Sequence, residues 1–109
     1  MHDLVWSPSE KKAARRLFEL ALQRELGALM AELKARADAA ESPDDLWDIE
    51  TFLTEARERI ELTYDYRYSK LIVVFARLLH AKRIEDHELE GLSEDKRTQI
   101  RSLVHIWLK

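Results

Sequence analysis

The sequence predicts an all-α protein, and three observations carry that prediction. Neither glycine nor proline occurs between Asp44 and Glu90, so nothing in that stretch breaks a long helix. Leu46, Ile49, Leu53, Ala56 and Ile60 recur at alternating steps of three and four. That spacing is a heptad seam, which buries itself along another helix. The one β-branched run, Ile72-Val73-Val74, has no second strand-like segment to pair with. The expected architecture is a single domain over 1–109: an N-terminal tail (1–6), a long helical hairpin (8–68) and a compact helical head (69–109). A homodimer is expected, because the faces outnumber what one small core consumes.

Each element has its own justification. Trp6 is placed to fold back as a hydrophobic staple before the first helix. Ser7-Pro8-Ser9-Glu10 reads as a capping box with proline at the first helical position. A helix follows to about Ala40, with Ala14, Leu17, Phe18, Ala21, Leu22, Leu29, Met30, Leu33, Ala37 and Ala40 as its apolar face. Gly27 inside it is either a close helix crossing or simply tolerated. Ser42-Pro43 ends this helix and starts the next, with Asp44 and Asp45 on the positive end of its dipole. The second helix is expected to run to about Tyr68, to bend at Ser69 and Lys70, and to continue. The apolar segment Leu71 to Leu79 reads as a buried helix ending near Arg83. Glu85 to Leu92 is a connector that closes at Gly91. Ser93 caps a last helix whose apolar face is Ile100, Leu103, Val104 and Trp107.

Composition removes several classes of function. At 109 residues, 46% hydrophobic and 36% charged, the chain is globular in composition. It contains no cysteine, so disulfides and thiolate metal sites are excluded, which fits a cytoplasmic location. No signal peptide and no apolar run of membrane-spanning length is evident. A net charge of −3 gives no general drive toward nucleic acid. Lys11, Lys12, Arg15 and Arg16 share a face that reads as solvated and balanced by Glu10 and Glu19. Di-metal helical bundles need Glu-x-x-His, and Arg77, Ile84 and Ser102 precede His80, His87 and His105 by three. No phosphate loop, zinc motif or nucleophile elbow appears. No catalytic residue, metal or cofactor is therefore expected, and His87 reads as an exposed loop histidine.

What remains is a recognition surface. Beside the seam runs a second stripe: Trp47, Glu50, Thr54, Arg57, Glu61, Tyr64 and Tyr68. An indole among charges and hydroxyls suits protein binding, although core packing of Trp47 and Phe52 is the plainer reading. Tyr64-Asp65-Tyr66-Arg67-Tyr68 can form a buried hydrogen-bonded network at a bend or an exposed patch.

The sequence resembles the fluorescence recovery protein family over most of its length. The resemblance lies in Gln23-Arg24-Glu25-Leu26, Asp44-Asp45-Leu46-Trp47, Phe52-Leu53, Arg57, Tyr64-Asp65, Arg67 and Ser69. It continues in Val74-Phe75-Ala76, Leu78-Leu79, Asp95-Lys96 and Ile100. The resemblance implies an all-helical dimer, able to form a tetramer, with no cofactor. It implies binding to photoactivated orange carotenoid protein, acceleration of that protein's return to rest, and help in detaching it from the phycobilisome. It also implies a site on the second helix, a Trp-x-Leu-His-Asp motif followed by an arginine. Trp47 and Arg57 match that motif, while Glu50 stands at its histidine and Thr51 at its aspartate. The partner face expected on this basis is Trp47, Glu50, Thr51, Thr54, Arg57, Tyr64 and Arg67. Family members also occur in bacteria without phycobilisomes, so the same scaffold acting on an unrelated partner is the alternative.

Overall fold

The structure is a computed structural model and describes residues 5–108. It is all-α: α1 (Pro8–Ala39), α2 (Pro43–Thr63), α3 (Leu71–His80), a 3-10 segment (Asp86–Gly91) and α4 (Glu94–Trp107), with no strand among the described residues.

Both hairpin helices start where the chemistry requires. The Glu10 amide donates to Ser7 Oγ at 3.1 Å, and the Ser7 amide donates back to Glu10 Oε1 at 3.1 Å. These bonds satisfy donors that the first turn leaves open. At the second start, Asp45 Oδ2 accepts from the amides of Glu41 at 2.8 Å and Ser42 at 3.0 Å. Those two amides hold the Asp45 carboxyl below its usual range.

The second helix is shorter than the sequence suggested. It stops at Thr63, residues 64–67 are irregular, with the Asp65 amide turning back onto the Thr63 carbonyl at 3.1 Å, and 68–70 form a turn. The expected continuation to Tyr68 is wrong, and side-chain packing supplies the reason. Outside the helix, Tyr64 and Tyr66 both meet Phe18 edge-on, at 5.5 and 4.9 Å between centroids. A helix would splay those two rings by about 200° and lose one contact.

The core sits between the first half of α1 and the head, not along the hairpin. Ala14, Leu17, Phe18 and Ala21 of α1 pack with Leu71, Val74, Phe75 and Leu78 of α3, and with Ile84, Leu89, Leu92 and Ile100. The apolar run of α3 is thus a buried helix, as expected. It ends at His80, where Lys82 takes a left-handed φ of 62° and the Arg83 amide reaches back to the Leu78 carbonyl at 2.8 Å. Gly91 lets the 3-10 segment approach α1, since a Cβ there would stand 2.5 Å from that of Ala13. Gly27, by contrast, has nothing within 4 Å of such a Cβ, so it is tolerated rather than required by a crossing. On α4, Ile100 is buried, Leu103 and Val104 pack against the core, and Trp107 stays 40% exposed with its ring edge-on to His80.

Two further expectations need extending. Residues 1–4 of the expected tail lie outside the described residues, but Trp6 belongs to the core at 7% exposure. Its ring lies 5.5 Å from that of Tyr68, with Lys96 Nζ 4.7 Å from its centroid. Lys96 is itself buried and donates to the Val5 carbonyl at 2.7 Å and to Glu10 Oε2 at 3.0 Å. The basic face of α1 is exposed and Arg15 pairs with Glu19 at 3.7 Å, as expected, but it also meets aromatic rings. Lys11 lies 5.3 Å from the Tyr68 ring and Arg15 4.2 Å from that of Tyr66, while Glu10 turns away to Lys96.

Candidate partner-binding face

The residues predicted for a partner face divide into two groups. Trp47, Glu50, Thr51, Thr54 and Arg57 lie on exposed turns of α2. At 100° per residue they occupy one side of that helix. The Trp47 indole is 62% exposed, so the plainer reading of core packing fails for it. Phe52 is half-buried, with the Arg36 guanidinium 4.1 Å from its ring centroid, so it belongs to the hairpin.

Tyr64 and Arg67 are not brought to this side, because α2 has ended before them. The Tyr64 hydroxyl lies 3.2 Å from the Ala21 carbonyl and 3.3 Å from Glu25 Oε1. Burial pushes the Tyr64 phenol well up, and the neighbouring Glu25 carboxylate adds to the shift. This tyrosine is a neutral structural donor to α1. Arg67 Nε donates to Asp65 Oδ1 at 2.8 Å within the same exposed loop, and this bond holds the Asp65 carboxyl low.

The seam residues line a groove. Between α1 and α2 runs a recess of about 1000 Å³ whose walls include Leu46, Ile49, Leu53 and Ile60. Glu50, Thr54, Arg57 and Glu61 form its α2 rim. Of the whole seam only Ala56 is buried; Ile49, Leu53 and Ile60 are half-buried and Leu46 is 59% exposed. Leu26 and Leu29 supply the α1 wall. Sequence reasoning did not place Leu26 there, although Leu22, Leu26, Leu29 and Leu33 repeat at four, three and four. It also did not pair Glu25 with Arg83 or Arg24 with Glu88. These pairs clip α1 to the head, with Arg83 Nε 3.0 Å from Glu25 Oε1 and Arg24 Nη1 2.8 Å from Glu88 Oε1. The hydrogen bond from Arg24 outweighs burial and holds the Glu88 carboxyl at about 2.

No group of three or more His, Asp or Glu side chains is arranged to hold a metal among the described residues. His87 is exposed, with Nδ1 3.7 Å from Glu85. No helix among the described residues is long and apolar enough to cross a membrane.

A family profile described as photoprotection regulator fluorescence recovery protein matches residues 6–104. The chain belongs to the fluorescence recovery protein family. It is 40% identical over 101 residues to the fluorescence recovery protein of Synechocystis sp. PCC 6803, covering 93% of each chain. The solved structure of that protein superposes with a TM-score of 0.89, at 40% identity over 93% of this chain and 99% of the other. The Fremyella diplosiphon fluorescence recovery protein gives the same TM-score at 37% identity and the same coverage. The fold and the photoprotection-regulator family expected from the sequence are therefore both found. A regulatory family also accords with a surface that carries a groove and an exposed indole.

Proposed function

We propose that the chain is a fluorescence-recovery-protein-like regulator that binds a partner protein through α2 and promotes that partner's return to its resting state. The resemblance implies photoactivated orange carotenoid protein as the partner. The observation that carries the reading is the 62% exposure of Trp47 on the side of α2 that also bears Arg57. Tryptophan and arginine are the residue types most enriched among interface hot spots, and here they share one side of α2 about 15 Å apart along its axis. The protein acts by differential affinity: it lowers the barrier or shifts the equilibrium only as far as it favours one partner conformation over another. No cofactor, metal or nucleic acid enters this reading, and the site of action is the cytoplasm.

The acting unit is a homodimer joined along the hairpin, with a tetramer as a further assembly. Leu46 and Leu26 remain 59% and 38% exposed in the walls of the groove. A second copy brings the same leucine-rich wall and covers it. Leu46, Ile49, Leu53, Ala56 and Ile60 then complete a seam that one chain leaves half-wet.

Glu50 and Thr51 favour a second reading, in which this scaffold serves an unrelated bacterial partner. A contact built for histidine and aspartate meets a fixed acceptor at Glu50 and a neutral hydroxyl at Thr51. Each mismatch in a desolvated contact costs about 1–3 kcal/mol, or roughly five- to a hundred-fold in affinity. The deciding experiment follows the recovery of photoactivated orange carotenoid protein. We expect weak acceleration by the wild type, stronger acceleration by Glu50→His plus Thr51→Asp, and loss when Arg57→Leu is added. Full acceleration by the wild type that ignores Arg57→Leu removes this site from α2.

A further inference from the structure

A second recess, of about 300 Å³, opens on the other flank of α2, where the end of that helix meets the middle of α1 and the end of α3. Its polar lining is Glu25, Arg59, Thr63, Tyr64, Arg77 and Arg83. Three guanidiniums share it with one carboxylate, and that carboxylate is already engaged. Glu25 accepts from Arg83 Nε at 3.0 Å and Nη2 at 3.3 Å, with the Tyr64 hydroxyl 3.3 Å away. Tyr64 stays neutral, because burial raises its phenol. Arg59 and Arg77 make no ion pair among the described residues. A chain with net charge −3 therefore concentrates two uncompensated positive charges in one concave place.

Such charges repel one another, and a concave wall focuses their field onto whatever enters. Guanidinium forks match the oxygens of phosphates and carboxylates in geometry as well as charge. The volume lies at the low end for small-molecule sites, and the one aromatic ring is committed to Phe18. These limits suit a small anion and leave no stacking platform for a nucleobase.

We propose that this recess binds a small oxyanion, a phosphate or a carboxylate, through Arg59, Arg77 and Arg83, with the Thr63 hydroxyl as a further donor. The bound anion ties the last turn of α2 to the last turn of α3 and so couples the hairpin to the head. The site is separate from the Trp47–Arg57 side of α2 and does not depend on the function proposed above.

The test titrates the full-length protein with inorganic phosphate and, in a second arm, with acetate, replacing chloride to hold ionic strength constant. Thermal midpoints and calorimetric heats are read. We expect a saturable rise in midpoint beyond the chloride control in at least one arm, and the stronger arm names the preferred anion. Arg77→Gln should weaken binding on the order of tenfold, as loss of one charge-assisted hydrogen bond predicts. Arg59→Gln should do the same, and it serves alone if Arg77→Gln does not fold. Arg16→Gln, on exposed α1 surface outside the recess, should leave binding intact. The proposal fails if neither anion exceeds chloride, if the recess variants bind as the wild type does, or if Arg16→Gln loses binding equally.

Discussion

Glu10 accepts from the Ser7 amide, the Ser93 amide and Lys96 Nζ, so one carboxylate starts α1 and anchors α4. Burial alone would raise its pKa, but these donors outweigh burial and lower it to about 2. Its stabilising contribution is therefore complete above the unfolded value of 4.5 and is lost as pH falls toward 2. Glu88, also held at about 2 by Arg24, adds to the same slope. Urea midpoints measured from pH 6 down to 2.5 should fall most steeply below about 4.5. In Glu10→Gln the fall should be shallower, and stability near neutrality should drop by about 3–5 kcal/mol because buried Lys96 loses its counter-charge. A pH profile in that variant identical to the wild type's would show that the carboxylate is not what the acid titrates. Little of this was legible in advance. The Ser7–Glu10 box announces itself locally, but its link to Lys96 joins residues 86 apart in sequence. No local pattern reports such a distance.

Helix starts were legible and one helix end was not, for a physical reason. Ser7-Pro8 and Ser42-Pro43 each combine a favoured N-cap residue with a proline that fits the first turn, although at the second start the capping side chain is that of Asp45. The end of α2 carries no glycine or proline. It is decided by Tyr64 and Tyr66 finding Phe18, which is a tertiary choice. Leu46, Ile49, Leu53 and Ile60 of the expected seam line one recess, yet the row is not buried within one chain. Leu53 is half-buried and lines the groove. Placing a charge there by Leu53→Glu should give monomers, at a cost of several kcal/mol if the wild-type seam is desolvated. Sedimentation equilibrium is the measurement. A wild type that stays monomeric at micromolar concentration would remove the dimer, and with it the reason for the seam.

The described chain is 53 Å long and 31 by 23 Å across, with its core gathered toward one end of α1. Its fold class followed from spacing and from the scarcity of breakers. The location of its core did not, because α1 is apolar along most of its length and only tertiary contact decides which half is covered. The surface expected to meet a partner lies on α2, where Ala56 is the single buried residue, while the buried core lies elsewhere. That separation equips the protein with its own optical reporters. Trp6 is 7% exposed inside the core, Trp47 is 62% exposed on α2, and Trp107 is intermediate beside His80. Trp47 should emit furthest to the red and be reached first by a soluble quencher such as acrylamide, and Trp6 should be shielded until the head loosens. Trp47→Phe should remove most of the readily quenched intensity while leaving the blue, protected component in place. One unlabelled sample, excited at a single wavelength, then distinguishes an occupied α2 from a loosened head: docking shields Trp47, whereas loosening exposes Trp6.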